Sequence, residues 1–301
     1  MTSNNSQPRI TFASLTKQLF WASRPVSWIN TAYPFAMAYW MVSQRLDGVF
    51  FVGTLFFLIP YNLLMYGIND VFDFESDMRN PRKGGIEGSV LNPRWHKPTL
   101  WVSFLLPIPF LAYLVSLGNP ASVALLALFV FTVIAYSAKG MRFKEIPLVD
   151  SITSASHFVG PMLVGLAYAG FDLRSGTSLK LTTAFALWGM ASHAFGAVQD
   201  IRADREAKIS SIATAFGAKG TVWFALMAYL LAGLILLTGI WPIPLAAIAA
   251  APYLWVVWPF RNLTDADCEQ ANLGWRRFIW LNFAAGFVVT MVIIYAAISA
   301  R

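Results

Sequence analysis

Two aspartate clusters, Asn69-Asp70-x-x-Asp73-x-x-x-Asp77 and Asp200-x-x-x-Asp204, each stand where an apolar run ends. Carboxylates this close repel one another and are costly beside hydrocarbon. Divalent cations relieve both costs, and Mg²⁺ held by one or two carboxylates usually completes its shell with phosphate oxygens and water. On a helix, Asp70, Asp73 and Asp77 fall within an arc of about 60°, bordered by Asn69 and continued into the membrane by Tyr66 and Asn62. Glu75 points away and is expected in solvent. Asp200 and Asp204 are i, i+4 neighbours on one helical face. His193, Gly196 and Ala197 lie below them and Lys208 above, with Arg205 on the other side. Taken alone, D-x-x-x-D is a weak signal; its match to the first cluster strengthens it.

A third element, Tyr136-Ser137-Ala138-Lys139-Gly140-Met141-Arg142-Phe143-Lys144, adds two hydroxyls and three cations. Arg and Lys bind diphosphate oxygens left free by metals and stabilise a leaving group's charge. The plainer alternative is an ordinary positive loop. Asp150 follows six residues later as a further polar contact. His157 and His193 lie inside apolar segments, where such groups either bridge helices or act on protons and carboxylates. Among the 46 aromatic residues, most are expected at lipid or interface, and some could line a cleft for a carbocation. The chain lacks G-x-x-x-x-G-K-[ST], H-E-x-x-H and C-x-x-C, so nucleotide-loop and zinc chemistry have no support. Cys268 is the single cysteine and is expected to be a bystander thiol.

The elements carrying these residues are membrane spans. The chain has 301 residues, 57% hydrophobic and 12% charged, against about 25% charged in soluble domains. Apolar segments near 25–43, 49–69, 98–117, 121–138, 147–170, 179–199, 220–240, 242–260 and 277–299 approach the ~20 residues that cross hydrocarbon. The break between the seventh and eighth rests on Trp241-Pro242-Ile243-Pro244. The expected fold is therefore an all-α integral membrane protein of nine transmembrane helices, one domain over residues 1–301. No low-complexity linker interrupts it. Residues 11–24 read as an interfacial amphipathic helix within a cytoplasmic segment 1–24. That segment has no compact apolar region before a small-residue cleavage site, so no cleavable signal peptide is expected.

With nine spans, one side holds 18 of the 22 Lys and Arg; the exceptions are Arg45, Arg174, Lys180 and Arg301. The positive-inside rule makes that side cytoplasmic. The N-terminus and active site are then cytoplasmic, the C-terminus is external, and the location is the cell membrane. Topology also explains the net charge of +7, so no nucleic-acid partner is expected. The same side holds 13 of the 15 acidic residues, all but Asp47 and Asp172, which charge bias alone does not explain. The clusters lie four spans apart, which suggests either an old duplication or a two-sided metal site. An ion transporter is the rival reading, but transporters place such sites near the midplane on broken helices.

In this order, N-D-x-x-D-x-x-x-D at Asn69 to Asp77, Y-S-x-x-x-x-R-x-K at Tyr136 to Lys144 and D-x-x-x-D at Asp200 to Asp204 resemble the UbiA superfamily of intramembrane prenyltransferases. The resemblance covers all nine spans. It implies a central cleft with a cytoplasmic cap, and two Mg²⁺ ions, one on Asp70, Asp73 and Asp77 and one on Asp200 and Asp204. Asn69 would support the first ion; Tyr136 would sit at the diphosphate. Arg142, Lys144, Lys208 and Arg24 would contact that diphosphate. Asn80-Pro81-Arg82-Lys83-Gly84-Gly85 after the first motif resembles the lycopene elongases of C50-carotenoid pathways, whereas quinone-pathway members more often show R-P there. The implied substrates are dimethylallyl diphosphate and a lipophilic acceptor, lycopene, within membrane lipid.

Overall fold

The computed structural model describes residues 10–78 and 91–299, without the side chains of Ser76, Asp77 and Ile279. Helix α1, Phe12–Ala22, opens with a capping box between Thr11 and Ser14. Its Phe12, Phe20 and Trp21 are exposed. Arg24 takes a left-handed φ of 50° and turns the chain towards α2, Trp28–Ser43.

The second apolar segment is continuous in hydropathy but forms two helices, α3 (Gly48–Leu58) and α4 (Pro60–Phe72). Pro60 has no N–H to continue the ladder, so carbonyls before it need other donors. Asn62, fully buried, supplies them: Nδ2 donates to Phe57 O at 2.9 Å, Leu58 O at 3.1 Å and Thr31 Oγ1 at 2.7 Å. Leaving one such buried group unsatisfied costs about 1–3 kcal/mol. Asn62 thus braces the broken span rather than extending a functional stripe. A second difference follows. Helix α4 ends at Phe72, Asp73 caps it with φ −98° and ψ 0°, and α5 (Phe74–Asp77) starts anew. The expected single helical stripe through Asp70, Asp73 and Asp77 is therefore interrupted at Asp73. The Asp77 side chain, and Arg79 to Gly88 with the Asn80-Pro81 signature, lie outside the described residues.

Next come α6 (His96–Leu105), α7 (Pro107–Leu117), α8 (Pro120–Ser137), α9 (Val149–Tyr168) and α10 (Gly176–Val198). A short α11 (Ile201–Glu206) precedes α12 (Ile212–Leu237). Then come α13 (Ala250–Val257), α14 (Ala271–Trp275) and α15 (Phe278–Ser299). The expected break near Trp241 is present, since α12 stops at Leu237 and a tight 3₁₀ stretch, Ile243–Ala249, follows. The seventh span begins earlier than 220, at Ile212, and kinks at Gly217, where φ is 68°. Asp265 fills the kink: Oδ1 accepts the Ala218 N–H at 2.6 Å and Oδ2 accepts Arg205 Nη1 at 2.7 Å. The Ala218 bond is the main reason the Asp265 carboxyl sits below its usual range.

Among the described residues, six helical stretches are long and apolar enough to cross a membrane: Gly48–Phe72, Pro93–Leu117, Pro120–Ser137, Ile212–Leu237, Ile243–Phe260 and Trp280–Ser299. The other three expected spans correspond to α2, of 16 residues, and to α9 and α10, which carry Asp150, His157 and His193. These polar residues have a structural reason: α9 packs among α2, α8 and α10, and α10 against α12, so the two are interior helices. The core divides in two. One half centres on Phe35, Phe57, Tyr61 and Phe129, the other on Phe195, Tyr229, Tyr253 and Phe278. A large cavity opens between them, and Tyr33 Oη meets Thr290 Oγ1 at 2.6 Å, joining α2 to α15.

Candidate active site

The cavity has a volume of ≈ 2560 Å³, beyond the roughly 300–1,000 Å³ of drug-sized pockets. Arg24, Asn69, Asp73, Tyr136, Arg142, Lys144, Asp200 and Asp204 all line it. Met37, Leu166, Trp188, Phe287 and Ile293 are among the residues of its apolar wall. The two aspartate clusters come from opposite halves of the core, so only the tertiary fold brings them to one space.

Around Asp73 the charges interlock. Lys144 Nζ bonds Asp73 Oδ1, and Arg142 Nη2 lies 3.7 Å from the same oxygen while also pairing with Glu145. Asn69 Oδ1 accepts from Ser137 Oγ at 2.9 Å and Lys144 Nζ at 3.4 Å. Burial pushes the Lys144 ammonium below its usual range, opposed by Asp73. The pair with Glu145 raises Arg142.

Asp70 is buried and accepts Arg24 Nη2 at 2.9 Å. It is not on the cavity wall; Arg24 is, with its guanidinium 4.3 Å from the Tyr66 ring centroid. Lys208 is exposed and also off the wall. Five described non-glycine residues have positive φ, and Arg24, Arg142 and Lys208 are three of them. Such strain persists only where the surroundings enforce it, and it collects at functional sites.

Four wall residues escaped the sequence reading: Gln199, Asn272, Glu145 and Arg276. Asn272 Nδ2 donates to Gln199 Oε1 at 2.6 Å beside Asp200. Gln199 and Glu145 adjoin Asp200 and Lys144 in sequence, whereas Asn272 and Arg276, on α14 and its C-terminal cap, come from a distant part of the chain that no local pattern marks.

Among the described residues, no three His, Cys, Asp or Glu side chains could enclose an ion by themselves. Hard oxygen donors nonetheless line one cavity together with cations. That set fits Mg²⁺, which keeps several waters and shares its shell with substrate phosphates.

Residues 31–283 match the profile of the UbiA prenyltransferase family. The chain belongs to the UbiA prenyltransferase family. The C(50) beta-cyclic carotenoids biosynthesis protein LbtBC of Dietzia sp. (strain CQ4) is 55% identical over 285 residues, 94% of this chain; the chain spans 66% of that protein's length. A lycopene elongase/hydratase of Corynebacterium glutamicum is 50% identical over 273 residues, 91% of this chain and 95% of that protein. A UbiA homologue from Archaeoglobus fulgidus, solved bound to DMAPP and Mg²⁺, superposes with TM-score 0.63 at 17% identity, covering 89% of this chain and 98% of that one. A digeranylgeranylglyceryl phosphate synthase gives TM-score 0.64 at 16% identity, covering 95% and 99%. These two structures establish a UbiA fold for this chain. Family and apolar helices together make it a multi-pass membrane protein.

Proposed function

We propose that this UbiA-family protein transfers a dimethylallyl group from its diphosphate to lycopene in the membrane, giving C45 and then C50 carotenoids. The observation that carries the reading is one cavity lined both by the carboxylates and cations of the sequence motifs and by many apolar side chains. The names of the relatives from Dietzia and Corynebacterium glutamicum support the acceptor. The Archaeoglobus fulgidus homologue supports the donor class and Mg²⁺.

Asp73, Asp200 and Asp204, with Asn69, are the residues that would hold Mg²⁺; Asp70 and Asp77 complete the first motif in the sequence, and two ions are the expected number. Bound Mg²⁺ supplies Lewis acidity that makes the diphosphate a better leaving group. Arg142, Lys144 and Arg24 take diphosphate oxygens, and Tyr136 lies beside them. The allylic C–O bond then ionises, its electron pair staying on oxygen. The apolar wall keeps water from the cation until the acceptor's terminal alkene attacks. Lys208 would join only if the turn bearing it moved inward.

Membranes containing the protein, supplied with Mg²⁺, dimethylallyl diphosphate and lycopene, should yield C45 and then C50 products, and none after chelation of Mg²⁺. Prenylation of 4-hydroxybenzoate or a naphthoate, with lycopene untouched, would move the protein to quinone chemistry. Ion flux without diphosphate release would favour a transporter.

The topology proposed alongside is nine spans in one domain, adding α2, α9 and α10 to the six apolar stretches. Residues 1–24 lie at the interface, the site and its cap face the cytoplasm, and the C-terminus is external in the cell membrane. The native Cys268 is buried, so introduced thiols report cleanly. In intact cells Lys139→Cys should resist a membrane-impermeant thiol reagent and Arg174→Cys should react. The opposite pattern reverses the orientation.

A further inference from the structure

Asp150 is fully buried at the start of α9, and the site described above leaves it without a task. Its Oδ1 accepts the Ser151 N–H at 2.7 Å and its Oδ2 the Ile212 N–H at 2.7 Å, which locks the carboxylate between α9 and α12. His193 Nε2 lies 3.5 Å from Oδ2. A carboxylate facing Nε2 keeps the hydrogen on that nitrogen and leaves the lone pair on Nδ1. The tautomer follows from this placement.

His193 lines the cavity and is the only histidine among its described lining residues. Tyr136 lies edge-on to it, ring centroids 6.5 Å apart, and His157 sits 5.1 Å from Tyr136 away from the main cavity. The other ionisable wall residues are chiefly guanidinium and ammonium groups or carboxylates beside the diphosphate region. His193 precedes Asp200 by seven residues and lies five before Val198, where α10 ends, about 8 Å along the helix axis. That places it on the hydrocarbon side of the acidic cluster. On the transfer reading, the positive charge left on the acceptor forms two bonds from the carbon that departs the diphosphate.

We propose that His193, oriented by Asp150, accepts the proton that ends prenyl transfer. The proposal rests on the transfer reading above. The acceptor's alkene pair forms the new C–C bond and leaves a tertiary carbocation. The Nδ1 lone pair takes a proton from the neighbouring carbon, and that C–H pair becomes the new double bond. The imidazolium, held by Asp150, then passes its proton to water. The sum is donor plus acceptor giving prenylated acceptor, diphosphate and one proton. His193 is the catalytic residue and Asp150 a positioning residue.

The test uses the full chain in detergent, with carotenoid product and diphosphate release followed together. His193→Ala and His193→Gln should each lower product formation about 10²-fold with the KM for donor unchanged. Added imidazole should restore His193→Ala about tenfold, an effect a packing role would not produce. Asp150→Asn should lower kcat alone and add nothing further when combined with His193→Ala. Wild-type product formation in His193→Gln, or a folded His193→Ala that imidazole does not restore, overturns the role of His193. Additive loss in the double variant overturns that of Asp150. Should the wild type prenylate a different acceptor, the acceptor reading fails, and the same comparisons on that acceptor still decide the proton step.

Discussion

Asp73→Asn and Asp200→Asn should each lower turnover about 10³-fold while the protein still purifies folded in detergent. Asparagine preserves shape and most hydrogen bonding but removes the charge that a metal-bound diphosphate requires. Losing one preorganised electrostatic contact at a developing charge typically costs 10²–10³-fold, and a missing metal ligand adds to that. Asp73 also neutralises Lys144, which is 12% exposed, and Arg142. Its loss therefore leaves a buried ammonium without its carboxylate and pushes that ammonium further towards deprotonation. Asp200 comes from the other half of the core and begins α11. An equal loss in both variants ties the two halves to one reaction. The informative measurement is initial rate against Mg²⁺ concentration, with a thermal melt of each variant. Wild-type rates at limiting Mg²⁺ in either variant would remove that aspartate from the cation site.

Gly165→Leu should unfold or strongly destabilise the protein, by about 3 kcal/mol or more, at the upper end for overpacking. A Cβ at Gly165 would lie 2.6 Å from the Phe35 carbonyl oxygen and 3.2 Å from Ala38 Cβ and Tyr39 N. The obstacle is largely the backbone of α2, which cannot swing aside as a side chain can. Membrane helices rely on such small residues for close approach, because lipid provides little hydrophobic drive between them. Since α2 and α9 both border the cavity, separating them also opens the site. Thermal midpoints in detergent decide the matter; a Gly165→Leu midpoint matching wild type would mean that α2 and α9 do not pack this closely.

The sequence by itself determined the class of chemistry and most of the elements. Hydropathy and proline positions are local properties, and they located the helix on 11–24, the break near Trp241 and most of the apolar segments within a few residues, the start of the seventh span at Ile212 excepted. The aspartate, tyrosine and cation motifs are also local, so Asn69, Asp73, Tyr136, Arg142, Lys144, Asp200 and Asp204, all of which line the cavity, stood out as candidates from the sequence. Tertiary structure decided the rest. Helical periodicity extended one stripe through Asp70, Asp73 and Asp77, but the chain ends α4 at Phe72, so Asp73 reaches the cavity while Asp70 turns to Arg24. Asn62 looked like part of that stripe until Thr31 and the carbonyls before Pro60 claimed its amide. Arg276 and Asn272 carry no sequence signature, because their place on the wall depends on α14 and its C-terminal cap packing against the end of α10. The contact of His193 with Asp150 likewise needs α9, α10 and α12 packed together. Spacing along a chain fixes which residues share a helical face; which faces meet is set by long-range packing, and that information is spread over the whole molecule.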